Sequence, residues 1–153
     1  NPILARNRGA IRRGNGLCKQ MSGKTGASKL TDMAGQSTLT GCVGKAALTG
    51  GAGAKHVIYV GDARGIDKIT DYNGLDGGGA EGDVLEFAAA LLHGTFDYLG
   101  TAAFSTVHGN TEARVVGSNV LIDFDGNGIS DMTINLTGLT SAAQLSALDF
   151  LFT

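Results

Sequence analysis

The side chains best placed to do chemistry in this chain are carboxylates. The segment Asp123-Phe124-Asp125-Gly126-Asn127-Gly128-Ile129-Ser130-Asp131 spaces Asp123, Asp125, Asn127 and Asp131 like the first part of an EF-hand loop, with Gly128 at the sixth position. Such hard oxygens suit Ca²⁺, which takes about six to eight of them. The twelfth position, where a bidentate Glu belongs, is Ile134. Strand-like runs Asn119–Phe124 and Met132–Leu136 flank the segment where helices would be needed, so a polar β-hairpin turn is preferred over a metal site. A second group, Asp62, Asp67 and Asp71, could supply carboxylates to a Ca²⁺ site at the end of the repeats described below. The competing reading makes them solvated turn and strand-edge residues. Asp76, Glu81 and Asp83 add negative charge nearby, in a Gly-rich loop.

Catalytic signals are missing. His56, His93 and His108 form no H-E-x-x-H pair, and no G-x-S-x-G elbow occurs. Gly77-Gly78-Gly79 lacks the Lys-Ser/Thr of a phosphate loop, and Cys18 and Cys42 form neither a C-x-x-C pair nor a zinc pattern. No catalytic residue is therefore expected. Residues 1–55 hold nine Lys or Arg against one acid, Asp32, whereas residues 56–153 hold three against thirteen. Arg6, Arg8, Arg12 and Arg13 could contact phosphates, but that half has no aromatic residue on which a base could stack. Nucleic acid is not expected as a partner.

The elements that must position these groups follow from a period of nine. Leu48-Thr49-Gly50-Gly51-Ala52-Gly53 repeats Leu39-Thr40-Gly41-Cys42-Val43-Gly44, Leu30-Thr31-Asp32-Met33-Ala34-Gly35 and Met21-Ser22-Gly23-Lys24-Thr25-Gly26. A short apolar-Thr segment followed by glycines reads as a strand and a tight turn, and each unit can bury its apolar residue only by stacking on neighbours. Two frames make one coil, so Leu48 should stack over Leu30 on one sheet and Leu39 over Met21 on the other, about 4.8 Å per layer. The two frames before Lys19 are degenerate, with Arg12 where leucine belongs. The expected fold class is all-β: a short parallel β-roll over residues 1–54, then a β-rich capping region over 55–153. In that region, strands are expected at His56–Val60, Ile66–Tyr72, Asp83–Phe87 and Glu112–Val116, with a helical turn at Ala88–Leu92 and a short helix at Ser141–Leu148. No apolar run reaches the roughly 18 residues of a membrane helix, and residues 1–13, with four arginines and no apolar core, are unlike a signal peptide.

Taken in order, these features resemble the C-terminal region of RTX (hemolysin-type) proteins, especially the serralysin-type C-terminal domain. The resemblance is carried by Leu48–Ala54 running into His56–Val60, then Asp67-Lys68-Ile69-Thr70-Asp71-Tyr72, Gly82-Asp83-Val84-Leu85-Glu86-Phe87, the Asp123–Asp131 segment and Asp149-Phe150-Leu151-Phe152. It implies a secreted bacterial protein exported by type I secretion machinery that reads a C-terminal signal, here Asp149–Thr153. It also implies Ca²⁺ in the turns of the roll, held by glycine carbonyls such as those of Gly50, Gly51 and Gly53 and by one Asp per repeat. That Asp position holds Ala10, Lys19, Ser28, Ser37, Ala46 and Lys55, none of them acidic. Lysines there repel a cation, so the roll is expected to bind Ca²⁺ weakly or not at all.

The leading functional expectation is a non-catalytic C-terminal module serving folding, capping, calcium-linked stability and secretion. One alternative is a structural or adhesive extracellular building block, such as a surface-layer or filament protein, whose oppositely charged halves could self-assemble head to tail. The other is the tail of a secreted protease or lipase. An anionic polysaccharide or cell surface is a further possible partner.

Overall fold

The computed structural model describes residues 11–15, 20–22, 26–41, 44–61, 65–74, 82–106 and 109–153. Eight parallel-pairing strands build the roll: β1 (Ile11–Arg13), β2 (Gln20–Ser22), β3 (Ser28–Thr31), β4 (Ser37–Thr40), β5 (Ala46–Thr49), β6 (Lys55–Tyr59), β7 (Ile66–Ile69) and β8 (Val84–Phe87). They alternate between two sheets. Five further strands complete the chain: β9 (Phe96–Tyr98), β10 (Thr111–Val116), β11 (Asn119–Asp123), β12 (Met132–Leu136) and β13 (Phe150–Phe152). The eight-stranded sheet runs β1-β3-β5-β7-β12-β11-β10-β9, and the five-stranded sheet runs β13-β8-β6-β4-β2. The fold is all-β.

Alternation along each strand decides what fills the space between the sheets. Ser28 and Leu30 point inward while Lys29 and Thr31 point out, and β4 and β5 repeat the pattern. Leu30 pairs in register with Leu48, and Leu48 with Ile69. On the opposite sheet Met21 pairs with Leu39, Leu39 with Val57 and Val57 with Leu85. These are the stacks that the nine-residue period requires. Each fully buried leucine contributes about 1.5–3 kcal/mol. Arg12, in register with Leu30, begins the first column where an apolar residue would continue it.

Turns must let successive coils approach closely. Gly51 has φ +69°, and a Cβ there would overlap the Met33 carbonyl of the preceding coil. Any other residue would strain the backbone and push the layers apart.

The ladders cross residues 54 and 55 without a break. β4 pairs with β6 and β5 with β7, so the parallel coils extend into the region where the capping unit was expected to begin. Beyond β7 the eight-stranded sheet turns antiparallel through β12, β11 and β10. The hairpin expected at residues 125–128 is the β11–β12 connection. β13 closes the five-stranded sheet by pairing with β8. Aromatic side chains gather here: Phe87 stacks on Tyr59 at 5.6 Å and on Phe152 at 5.4 Å, and Phe150 lies against Phe96 and Tyr98. The helical turns are three-residue 3-10 turns. One covers Ala89–Leu91, and the expected helix at 141–148 is two separate turns, Ala142–Gln144 and Ala147–Asp149, each capped by a serine.

Candidate metal centre

The loop joining β11 to β12 is organised by Asp123. Its side chain is buried, Oδ1 accepts from the backbone N–H of Gly126 (2.8 Å) and Asn127 (3.3 Å), and Oδ2 accepts from Gly128 (2.7 Å). Asp125 Oδ1 accepts from Asn127 N–H (3.1 Å), and Asp131 Oδ2 accepts from Phe124 N–H (2.7 Å). One carboxylate oxygen from each of Asp123, Asp125 and Asp131 lies within 4.8 Å of the other two. The chain thus brings together the three acids that the spacing singled out. Asp125 and Asp131 are exposed, so the group is open to solvent. Three converging carboxylates are a donor set that fits a hard divalent cation. Ile134, at the twelfth position, is fully buried in the core and supplies no oxygen.

Of the second expected group, Asp67 and Asp71 fall among the described residues. Asp67 lies within β7 and Asp71 two residues past its end, and their carboxylates serve different backbone segments, Ala46 and the Gly50–Gly51 turn. Asp62 lies outside the described residues, as do Ala10, Lys19, Cys18, Cys42, Asp76 and Glu81. Asp71 binds the turn of the preceding coil: its two oxygens accept from Gly50 N–H (2.9 Å) and Gly51 N–H (2.6 Å). Gly50 and Gly51 therefore meet Asp71 through their N–H groups, while the Gly51 carbonyl accepts from the Lys55 ammonium. Gly53, at φ +101°, packs against Gly35 of the coil below.

Asp67 and Asp83 continue the Asp positions of the repeat. Asp67 is buried and its Oδ1 accepts from Ala46 N–H (2.7 Å), placing it next after Ala46 in the eight-stranded sheet. Burial pushes its carboxyl up to about 6, against the opposing pull of the Ala46 N–H and the Tyr59 hydroxyl. In the five-stranded sheet Ser37 is in register with Lys55, and His56 with Val84, so Asp83 follows Lys55 in the same column. Asp83 accepts from Lys55 N–H (2.9 Å) and Asn73 N–H (2.9 Å), and its carboxyl is raised by burial, with the Asn73 N–H and Lys55 opposing. The sequence concealed this role because the steps from Lys55 to Asp67 and from Asp67 to Asp83 are 12 and 16 residues, not nine. One coil earlier, the buried Asp32 takes the Ser37 hydroxyl and the Met33 N–H. No metal-type cluster other than Asp123, Asp125 and Asp131 occurs among the described residues.

No protein-family model and no curated protein matches the chain. Among solved structures it is similar to the solution structure of the AlgE6R2 subunit from the Azotobacter vinelandii mannuronan C5-epimerase. The TM-score is 0.56, with 22% identity over 94% of this chain and 92% of that one. The fold is an RTX-like β-roll. At that identity the likeness establishes the fold alone, and nothing in it is particular to the serralysin type. No described helix is long and apolar enough to cross a membrane. His56, on the outer face of the five-stranded sheet, pairs with Glu86 at 3.0 Å and not with a nucleophile.

Proposed function

We propose that the chain is a non-catalytic β-roll module of a secreted, extracellular protein, whose work is to fold after export and to close the roll. The observation that carries this reading is the continuity of the two sheets: the same columns that begin in the repeats end on β13 and the aromatic cluster. The serralysin-type order of motifs, from the repeats to Asp149-Phe150-Leu151-Phe152, supports export by type I machinery. Calcium-linked stability acts at the β11–β12 loop, where Asp123, Asp125 and Asp131 would hold the ion. Bound there, Ca²⁺ neutralises three converging carboxylates and favours the folded state by mass action. The test is expression beside a type I exporter. The reading expects the chain in the medium, and loss of export when Phe150–Phe152 are replaced by polar residues. Retention of the unaltered chain inside the cell would sink it.

A second reading makes the module a binder of acidic polysaccharide. The outer face of the eight-stranded sheet carries Arg13, Lys29 and Lys68 beside Thr31, Thr49 and Thr70, with Lys29 and Lys68 two strands apart, roughly 10 Å. The similar AlgE6R2 subunit belongs to an enzyme named for mannuronan, a polyanion. This reading expects salt-sensitive binding of polymannuronate that is lost in a Lys29→Glu/Lys68→Glu protein. Equal binding by that variant would remove it.

A further inference from the structure

Lys55 occupies an Asp position of the repeat, yet its side chain does not escape to solvent: it is only 3% exposed. Its methylenes lie in the space left by Gly50, where any Cβ would overlap them. The ammonium, at the end of this path, donates to the Gly51 carbonyl and lies 3.4 Å from Asp83 Oδ2. The backbone of the same residue donates to Asp83 Oδ1, so the lysine holds that carboxylate by both its main chain and its side chain. Asp71 lies across the same turn, bound to the N–H groups of Gly50 and Gly51. A glycine carbonyl and a buried carboxylate from the next coil are the oxygen types that a hard cation takes. Here they already surround a positive charge.

We propose that the Lys55 ammonium is the resident cation of this coil. It stands between the Gly50–Gly51 turn and Asp83, where the resembled rolls would take a metal ion, so this coil closes without one. The residues do not fit a divalent ion here, because it would have to sit beside the ammonium and compete for the same oxygens. Charge balance explains the arrangement: a buried carboxylate left alone is strongly destabilising, and a covalently attached cation cannot be washed out or chelated. The inference goes beyond the proposed module function and concerns a place separate from the β11–β12 loop.

Three variants and two solvent conditions test it. In the unaltered protein the amides of Gly50, Gly51 and Asn73 should exchange with solvent at rates within about twofold of each other in chelator and in millimolar CaCl₂, the closed coil being the same in both. Lys55→Met keeps the apolar stem but removes the charge, and should lower Tm by on the order of 10 °C with or without calcium. Lys55→Met/Asp83→Asn, which removes both charges, should regain at least about half of that loss. Lys55→Asp restores the acid of the repeat: its coil should lose protection by at least about tenfold in chelator and regain it in CaCl₂. The proposal is overturned if these amides in the unaltered protein lose protection on chelation, or if Lys55→Met melts where the unaltered protein does. It also fails if the double variant recovers nothing, because lysine would then act by packing alone. Failure of calcium to restore Lys55→Asp would remove the assignment of this place as a cation position.

Discussion

Replacing Asp67 by Asn should stabilise the roll near neutral pH. Asp67 is 1% exposed between the sheets, in register with Ile134, and its carboxyl is raised from 3.8 to about 6, chiefly by burial. A group that binds its proton more tightly when folded favours the fold fully below its unfolded value. That contribution fades as pH rises from about 4 and is gone above about 6. A shift of roughly two units corresponds to about 3 kcal/mol, and the weaker hydrogen bond that a neutral amide oxygen makes to the Ala46 N–H lowers the expected effect to about 1–3 kcal/mol. Asparagine retains an oxygen for the Ala46 N–H but does not ionise. The variant and the parent should therefore be about equally stable near pH 4, with the variant ahead by about 1–3 kcal/mol at pH 7. Asp83, also raised by burial, titrates in both proteins and largely cancels in the difference. The assay is urea denaturation at half-unit steps from pH 4 to pH 8. A difference between the two proteins that does not change with pH would refute the reasoning, as would a variant that is less stable at pH 7.

Other perturbations bear on other links. Leu48→Ala removes a fully buried side chain from the Leu30–Leu48–Ile69 column and should cost about 2–5 kcal/mol in urea denaturation. Gly51→Ala, at positive φ and against the Met33 carbonyl, should cost about 1–3 kcal/mol or more, read as a fall in the thermal midpoint. Asp123→Ala leaves the N–H groups of Gly126 and Gly128 without their acceptor and Asn127 N–H with Asp125 alone, so it should both abolish calcium uptake in titration calorimetry and broaden the loop amides in NMR spectra. Asp125 accepts from a single exposed N–H, so Asp125→Ala should weaken calcium at least about tenfold while changing stability by under about 1 kcal/mol in the absence of metal.

The sequence made the stacked leucines legible because a strict period of nine leaves only one register in which Leu30 meets Leu48 and Met21 meets Leu39. The hairpin at 125–128 was equally legible, since Asp-Gly and Asn-Gly between two apolar runs leave few other turns. The continuation of the roll past Lys55 was not. Its repeats persist in space, but longer connections break the period in the chain, and Asp83 reads as one more acid beside a glycine-rich loop. Local pattern also could not give the pairing of β13 with β8, nor the short strand β9, because both are fixed by partners far away in sequence. Lys55 shows the limit most clearly. By type alone it repels a cation; only the fold reveals that it is itself held by Gly51 and Asp83. The acids of the β11–β12 loop were legible as a group because their spacing is local, whereas the bond from Asp71 to Gly50 and Gly51 spans 20 residues or more.

The central claim is a roll that keeps its glycine turns and apolar stack without depending on metal in its turns. The most direct measurement is native mass spectrometry of the calcium-equilibrated protein, paired with far-UV circular dichroism before and after chelation. The account expects a single tightly held ion, lost in an Asp125→Ala/Asp131→Ala protein, and a β signal that survives chelation. Several bound ions, together with collapse of the β signal when they are removed, would contradict it.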